Sequence, residues 1–388
     1  MEREPQYDFG LSREQEERAR RIHDESIVID FLFQGPIGTR SIPGEIGGEL
    51  EDICLKKHPG SAKDRIECAR QLIEDWSLGG KLAQIYRDCW YESGITAGNR
   101  QLDISDTSGI ISSMAQAQAE FDTHKWLIKA LRASDIEHAR QNNLKAGIVT
   151  CQETIGFGKD LSILDKMHKF GLRAVQLTYN NQDLVGSGCM ESGSAGLSSF
   201  GRDFVAKLNG LGIVVDTGHC GRQTTLDACE CSGAPVVASH TSAEKVFFHS
   251  RAKSDEEIRA IAKTGGVVGI FCMPWFIAGD HANTTIDHFL DHIDYVAGLA
   301  GIDAVGIGTD WPMPQTEWMA AAFKEHVAPT LGFAPGDGPS TEHVRGMMDY
   351  RSFGNITRGL VARGYSDGDV AKVIGGNWMR VFKEVWKQ

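Results

Sequence analysis

The sequence predicts an α/β protein, a (β/α)8 barrel of the TIM type, on three observations. Short apolar runs of strand character alternate with helical stretches along most of the 388 residues, about seven or eight pairs in all. Two of these runs, 213–215 and 236–238, each lead within a few residues to a histidine, His219 and His240. No internal repeat or low-complexity linker interrupts the alternation, so residues 1–388 are expected to form a single barrel domain.

The elements follow in order. A leading helix is expected over 12–23, with Ser12 as N-cap and Gln15 three residues on. A strand over 26–30 comes next. The Gly- and Pro-rich run that follows predicts a long loop insertion near 31–60 above a site mouth. Residues 61–77 have helical spacing, 82–90 suit strand and helix equally, and 113–133 read as a helix prolonged by a turn over 134–141. Strands are expected over 146–151, 174–178, 213–215, 236–238, 266–271 and 304–308. The helices between them are expected over 161–170, 200–211, 224–232, 255–264 and 285–300. Gly171 is a natural C-cap for the first of these. The C-terminal region is expected to be helical, over 316–328, 352–363 and 367–386.

The net charge of −12 argues against a nucleic-acid or anionic-membrane partner and leaves a small molecule as the expected one. No apolar run is long enough to span a bilayer, and the charged first residues lack the apolar core of a secretion signal. The nine cysteines are odd in number, and Cys229 and Cys231 form a CxC with no second pair at zinc-site spacing. Free thiols in a reducing compartment are therefore expected, and with them a cytoplasmic protein.

Strand ends on such a barrel gather at one face and carry its chemistry. Here they supply Gln152 or Glu153, His219, His240 and Asp310. Two imidazoles and a carboxylate can hold a divalent ion with a position open for water. Such an ion lowers the pKa of that water, and a nearby carboxylate can then move its proton. Buried, hydrogen-bonded core histidines are the plainer alternative for the pair. Cys220, directly after His219, is a conceivable nucleophile with no base beside it other than His219.

The segments LTYNNQ (177–182), GLSSFGRDFVAKLNGLGIVVDTGHC (196–220), APVVASHTSA (234–243), DAVGIGTDW (303–311) and IGGNWMRVFKEVW (374–386) resemble the renal or membrane dipeptidase family. That family comprises metal-dependent hydrolases on an amidohydrolase-like barrel. The resemblance places His219 and His240 on two metal ligands and Asp310 on the catalytic aspartate. It places Arg251 on the arginine that holds a substrate carboxylate, and Tyr179 where a histidine contacts the substrate or its tetrahedral intermediate. Asn180 and His249 are further substrate-contact candidates. The family's tendency, together with exposed aromatics, implies a homodimer or larger assembly.

The departures lie at the start of the barrel. The family's first strand ends in His-x-Asp, where this chain has Leu32 and Gln34, and its bridging glutamate stands here as Gln152. Glu153 is one residue further along and would point the other way on a strand. At most a mononuclear site is expected, one divalent ion taken as zinc, held by His219 and His240 and completed by Gln152 or Asp310. Glu45, Glu49 and His58 in the 31–60 segment are the alternative sources of a ligand. The expected reaction is hydrolysis of a small amide or dipeptide-like carboxylated substrate. A lyase, isomerase or decarboxylase acting on a small carboxylated metabolite with one metal or none is the alternative, and a non-catalytic homologue is the third reading.

Overall fold

The computed structural model describes residues 6–386 except 34, 36–41, 194, 311–317, 320, 322–324, 326–342 and 349. Nine parallel strands form one sheet: β1 (Ile29–Asp30), β2 (Ala97–Leu102), β3 (Leu127–Lys129), β4 (Lys145–Cys151), β5 (Leu172–Gln176), β6 (Val214–Asp216), β7 (Val236–Thr241), β8 (Val268–Ile270) and β9 (Val305–Ile307). Eight of them run in the order β1-β2-β4-β5-β6-β7-β8-β9. Two backbone bonds across the remaining gap bring this sheet round into a barrel, Phe31 N–H to Ile307 O at 3.0 Å and Asp310 N–H to Leu32 O at 2.9 Å. The short β3 pairs with Lys145–Gly147 at the start of β4, whose later residues pair with β5.

The strands face inward with small and branched side chains, among them Ile29, Ala97, Ala146, Ile148, Ala174, Val214, Val237 and Val267, all essentially inaccessible. One end of this interior is filled by the C-terminal helix Asn377–Val385, whose Trp378 and Phe382 stack with Phe31 and Trp386. Trp378 also donates its indole N–H to Ile307 O at 3.0 Å. The strand residue beside it has to be glycine, since a Cβ on Gly306 would lie 2.7 Å from the Trp378 ring. Truncating a buried ring of this size typically costs about 3–5 kcal/mol. A second apolar layer lies between the outer face of the strands and the helices, with Val149, Val175, Val215, Phe204 and Leu208 at its centre.

Local signals hold where their chemistry is direct. Ser12 and Gln15 form a reciprocal capping box on the helix Arg13–Glu25, and Ser254 and Glu257 form another on Asp255–Lys263. Gly171 takes φ 129° at the C-cap of Ser162–Phe170.

The structure completes or corrects the reading in five places. Within the 31–60 segment, Gly44–Lys57 is helical, burying Leu50 and Cys54. Residues 83–92, ambiguous in sequence, form a helix. The helix expected over 113–133 runs from Thr107 to Thr123, after which Leu127–Lys129 is β3. The last helix is broken at Lys372–Gly376, where Gly375 takes φ 171° and sits so close to Ile27 O that a Cβ would lie 2.1 Å from it. β2 carried no strand signal because its inward residues, Asn99 and Gln101, are polar; their hydrogen bonds to Thr150 and Gln152 replace the usual apolar packing. The helix expected over 316–328 falls almost wholly outside the described residues, as does Gln34. Among the described residues no helix is long and apolar enough to cross a membrane.

Candidate active site

The carboxyl ends of β6 and β7 bring His219 and His240 together, their rings tilted 56° to each other. Their Nε2 atoms lie 2.9 Å apart, and both rings are buried. Each is held from behind. His219 Nδ1 is 2.7 Å from Asn180 Oδ1, and His240 Nδ1 is 2.7 Å from Ser239 Oγ. An amide oxygen only accepts, so His219 carries its proton on Nδ1 and offers a lone pair at Nε2. His240 Nε2 meets both that lone pair and the Gln152 amide N–H groups, so it either donates to His219 with Nδ1 accepting from Ser239, or accepts from Gln152 with Nδ1 donating to Ser239 Oγ. In the first arrangement the bonds form one directed chain: Ser239, His240, His219, Asn180. Burial, and next the Arg251 charge, push both imidazoles well below their ordinary range, so both are neutral.

Tyr179 stacks on His219 with ring centres 4.0 Å apart and planes 20° from parallel. Burial, and next the Asp310 carboxylate, raise its phenol, which stays protonated throughout the physiological range. Asp310 follows β9 in the left-handed region at φ 53°, its own N–H fixed on Leu32 O. That conformation is uncommon for a residue other than glycine, and among such residues Asp and Asn adopt it most readily.

Arg251 is 2% exposed. It donates to Gly218 O and, at 3.3 Å, to His240 O, and it lies over the rings of Phe271 and Phe276. Its fork thus ties the end of β6 to β7 at the same time as it places a positive charge beside the histidines. His249 accepts the Arg251 backbone N–H at 3.1 Å and packs edge-on against Phe276, so it shapes the turn that carries Arg251.

Other sequence candidates are placed differently. Gln152 lies beside the pair, 3.4 Å from His240 Nε2 to its own Nε2, but Gln101 donates to its Oε1 at 3.0 Å. It therefore turns N–H groups, not a lone pair, toward His240, which is the wrong polarity for a metal ligand. Glu153 has the acidic Asp103 and Asp183 as neighbours, and burial with their charges raises its carboxyl. Glu45 and Glu49 are exposed on the helix Gly44–Lys57, Glu49 pairing with Lys81, and His58 is that helix's C-cap. Burial pushes the Cys220 thiol up to about 12, which removes it as a nucleophile.

Three buried residues escaped sequence reading. Asp30 accepts from Thr309 N–H at 2.8 Å, Thr309 Oγ1 at 2.5 Å and Leu32 N–H at 3.2 Å, and so anchors the turn that carries Asp310. Asp216 does the same for His219 and His240, accepting from Gly218 N–H and Ser239 N–H. Gln176 donates to Gln152 O at 2.5 Å and Thr178 O at 3.0 Å. A carboxylate or amide closing an otherwise apolar strand was the available signal for all three.

This architecture has solved relatives. An amidohydrolase from Pseudomonas aeruginosa superposes with a TM-score of 0.72 at 27% identity, over 95% of this chain and 99% of that one. The probable dipeptidase PvdM from the same organism shares the fold, with a TM-score of 0.69 at 19% identity over 97% and 99% of the two chains. In sequence, the family description Membrane dipeptidase (Peptidase family M19) matches residues 16–322 and 324–388. The chain belongs to the membrane dipeptidase family. Within this family it is 28% identical over 258 residues to the dipeptidase tcpJ of Claviceps purpurea, a match taking in 66% of this chain and 55% of that protein. The chain thus spans about half the length of that curated relative.

Membership of the membrane dipeptidase family implies a divalent metal, typically zinc. The two Nε2 atoms suit it, since Ser239 Oγ can accept as readily as donate and so free the His240 lone pair. The remaining donor set does not. Among the described residues, no group of three or more His, Cys, Asp or Glu side chains is placed to hold a metal ion. A catalytic zinc takes three protein ligands, and Gln152, which lies beside the pair, presents amide N–H.

Proposed function

We propose that this chain hydrolyses a small amide or dipeptide-like substrate bearing a free carboxylate. Family membership supports the reaction class, and the placement of Asp310 carries the reading. A carboxylate on a turn pinned by Asp30 and Leu32 stands at the barrel mouth next to a phenol that remains protonated. In this mechanism Asp310 takes the proton from the attacking water and returns it to the leaving amine. Tyr179 donates its O–H to the oxyanion of the tetrahedral intermediate. Arg251 supplies the positive field that draws the substrate carboxylate, and Asn180 keeps His219 in the tautomer that faces the pocket. The expectation of one zinc retains His219 and His240 as its only donors among the described residues, and no catalytic step is assigned to it.

The test is elemental analysis of untagged protein, with and without His219→Ala and His240→Ala, alongside release of free amino groups from a dipeptide panel. Dipeptide cleavage abolished by Asp310→Asn supports the proposal. No release from any dipeptide, with or without added zinc, sinks it. The amide of Gln152 in place of the family's bridging carboxylate favours, as the second reading, a lyase, isomerase or decarboxylase on a small carboxylated metabolite.

A further inference from the structure

Outside the barrel interior, a cavity of about 110 Å³ lies among β2, the start of β4 and the helices Ala62–Gly79, Ala83–Glu92 and Thr107–Thr123. One water needs roughly 10–15 Å³ of such volume, so the space holds a small organic molecule. Its polar wall is unbalanced. Arg100, on the outward face of β2, pairs with Glu120 at 2.7 Å and with Glu74 at 3.5 Å. Two carboxylates face one guanidinium, so with both ionised one negative charge is left over, and burial raises the Glu74 carboxyl for want of a second cation. Tyr86 donates to Glu120 rather than cancelling that charge, and burial followed by the Glu120 carboxylate raises its phenol well above the ordinary value.

Two further wall groups are deeply buried and lack partners. His124 is 6% exposed and Trp90 2%, yet neither His124 Nε2 nor Trp90 Nε1 has a hydrogen-bond partner. Burial chiefly, against the Glu120 charge, holds the His124 imidazole below its ordinary range. A neutral imidazole has one acceptor nitrogen, and with the proton on Nδ1 the unpartnered Nε2 is that acceptor. The Trp90 indole N–H is a donor. The aromatic walls close round these groups: Tyr86 stacks on His124 with ring centres 5.6 Å apart, and Trp90 meets Tyr86 edge-on at 5.9 Å.

We propose that this cavity is a binding site for a short aliphatic ammonium ion carrying one oxygen acceptor. The ammonium supplies the missing positive charge, donates to His124 Nε2 and lies against aromatic faces that favour cations. The oxygen accepts the Trp90 N–H. Glu74 and Glu120 provide the charge-assisted bonds that distinguish this ligand from a neutral molecule of the same shape.

Ethanolamine is the probe, with ethylene glycol as its neutral counterpart and glycolate as the anion. Binding is read by calorimetric titration and by the rise in melting temperature of the full chain, neither of which needs turnover. Ethanolamine is expected to bind and to raise the melting temperature, and the two controls are not. Glu74→Gln, at a side chain 41% exposed, is expected to weaken binding by about tenfold or more. His124→Phe keeps an aromatic ring, removes the acceptor and is expected to weaken it similarly. The proposal is overturned if ethanolamine does not bind, if ethylene glycol or glycolate binds as well, or if both folded variants bind like wild type.

Discussion

The two halves of the barrel mouth are built from different chemistry. The late half, from β5 to β9, presents imidazoles, a phenol, a guanidinium and a carboxylate, each with its orientation fixed by a specific partner such as Asn180, Ser239 or Leu32. The early half, from β1 to β4, presents hydrocarbon, a hydroxyl and neutral amides: Leu32, Thr150, Asn99, Gln101 and Gln152. Charged groups at a barrel mouth cost desolvation energy and persist where they act, whereas a ladder of paired amides satisfies itself and adds rigidity. On the function proposed above, the chemistry belongs to the late half and the support to the early one.

Asp310→Asn tests that assignment most severely. Asparagine also tolerates φ 53°, so the turn and its bond to Leu32 O are kept while the base is lost. Hydrolysis is expected to fall by about 10²–10⁴-fold in kcat with the far-ultraviolet spectrum unchanged. A variant within a few-fold of wild type would place the proton transfer elsewhere.

Asp30 sits at the seam between the halves. Burial, only partly offset by its bonds from Thr309, raises its carboxyl to about 7. A carboxyl raised above its unfolded value stabilises the fold while it is protonated. That contribution is full below about pH 4 and is lost as pH rises from there through about 7. At full effect the change is on the order of 4 kcal/mol. In urea unfolding at pH 4.5 and pH 8, wild type should therefore lose stability relative to Asp30→Asn as pH rises. A difference between the two proteins that does not change with pH would show that Asp30 is already charged in the fold.

Gln152→Glu sharpens the comparison by giving the early half a carboxylate. A side chain that only accepts would then face His240 Nε2, with Gln101 still donating to it. Zinc affinity, measured against a chromophoric chelator, is expected to tighten by about tenfold or more, since the site gains a third ligand and a negative charge. Unchanged affinity would mean that position 152 lies outside the reach of an ion held by the two histidines.

Part of the late half was legible in the residues themselves, because three of its candidate groups follow a strongly apolar run: Ile213–Val215 before His219, Val236–Ala238 before His240, Val305–Ile307 before Asp310, whereas Tyr179 and Arg251 were legible only through the family resemblance. β2 was not legible, since AGNRQL has no apolar alternation and becomes a strand through the partners that Thr150 and Gln152 bring from a distant part of the chain. The orientation of Gln152 was illegible for the same reason. Residue type allowed a lone pair toward the histidines, and only Gln101, 51 positions away, shows which end of the amide faces them. Asp30 and Asp216 look like strand-end candidates for catalysis, yet each is consumed by backbone N–H groups of the turns that carry catalytic candidates.

The smallest expected effect isolates the supporting role of the early half. Asn99 accepts the Phe33 N–H and donates to Thr150 Oγ1 at 2.9 Å, all three residues being buried. Thr150→Val keeps the shape and removes the acceptor, leaving the Asn99 amide N–H without a partner. Such an orphaned donor costs about 1–3 kcal/mol, which denaturant unfolding resolves. Because Thr150 offers nothing to a reacting atom, kcat of the folded variant should equal that of wild type. A loss of stability without a loss of turnover is what a supporting half predicts. A fall in kcat as large as that of a late-half variant would mean that the amide ladder takes part in the chemistry.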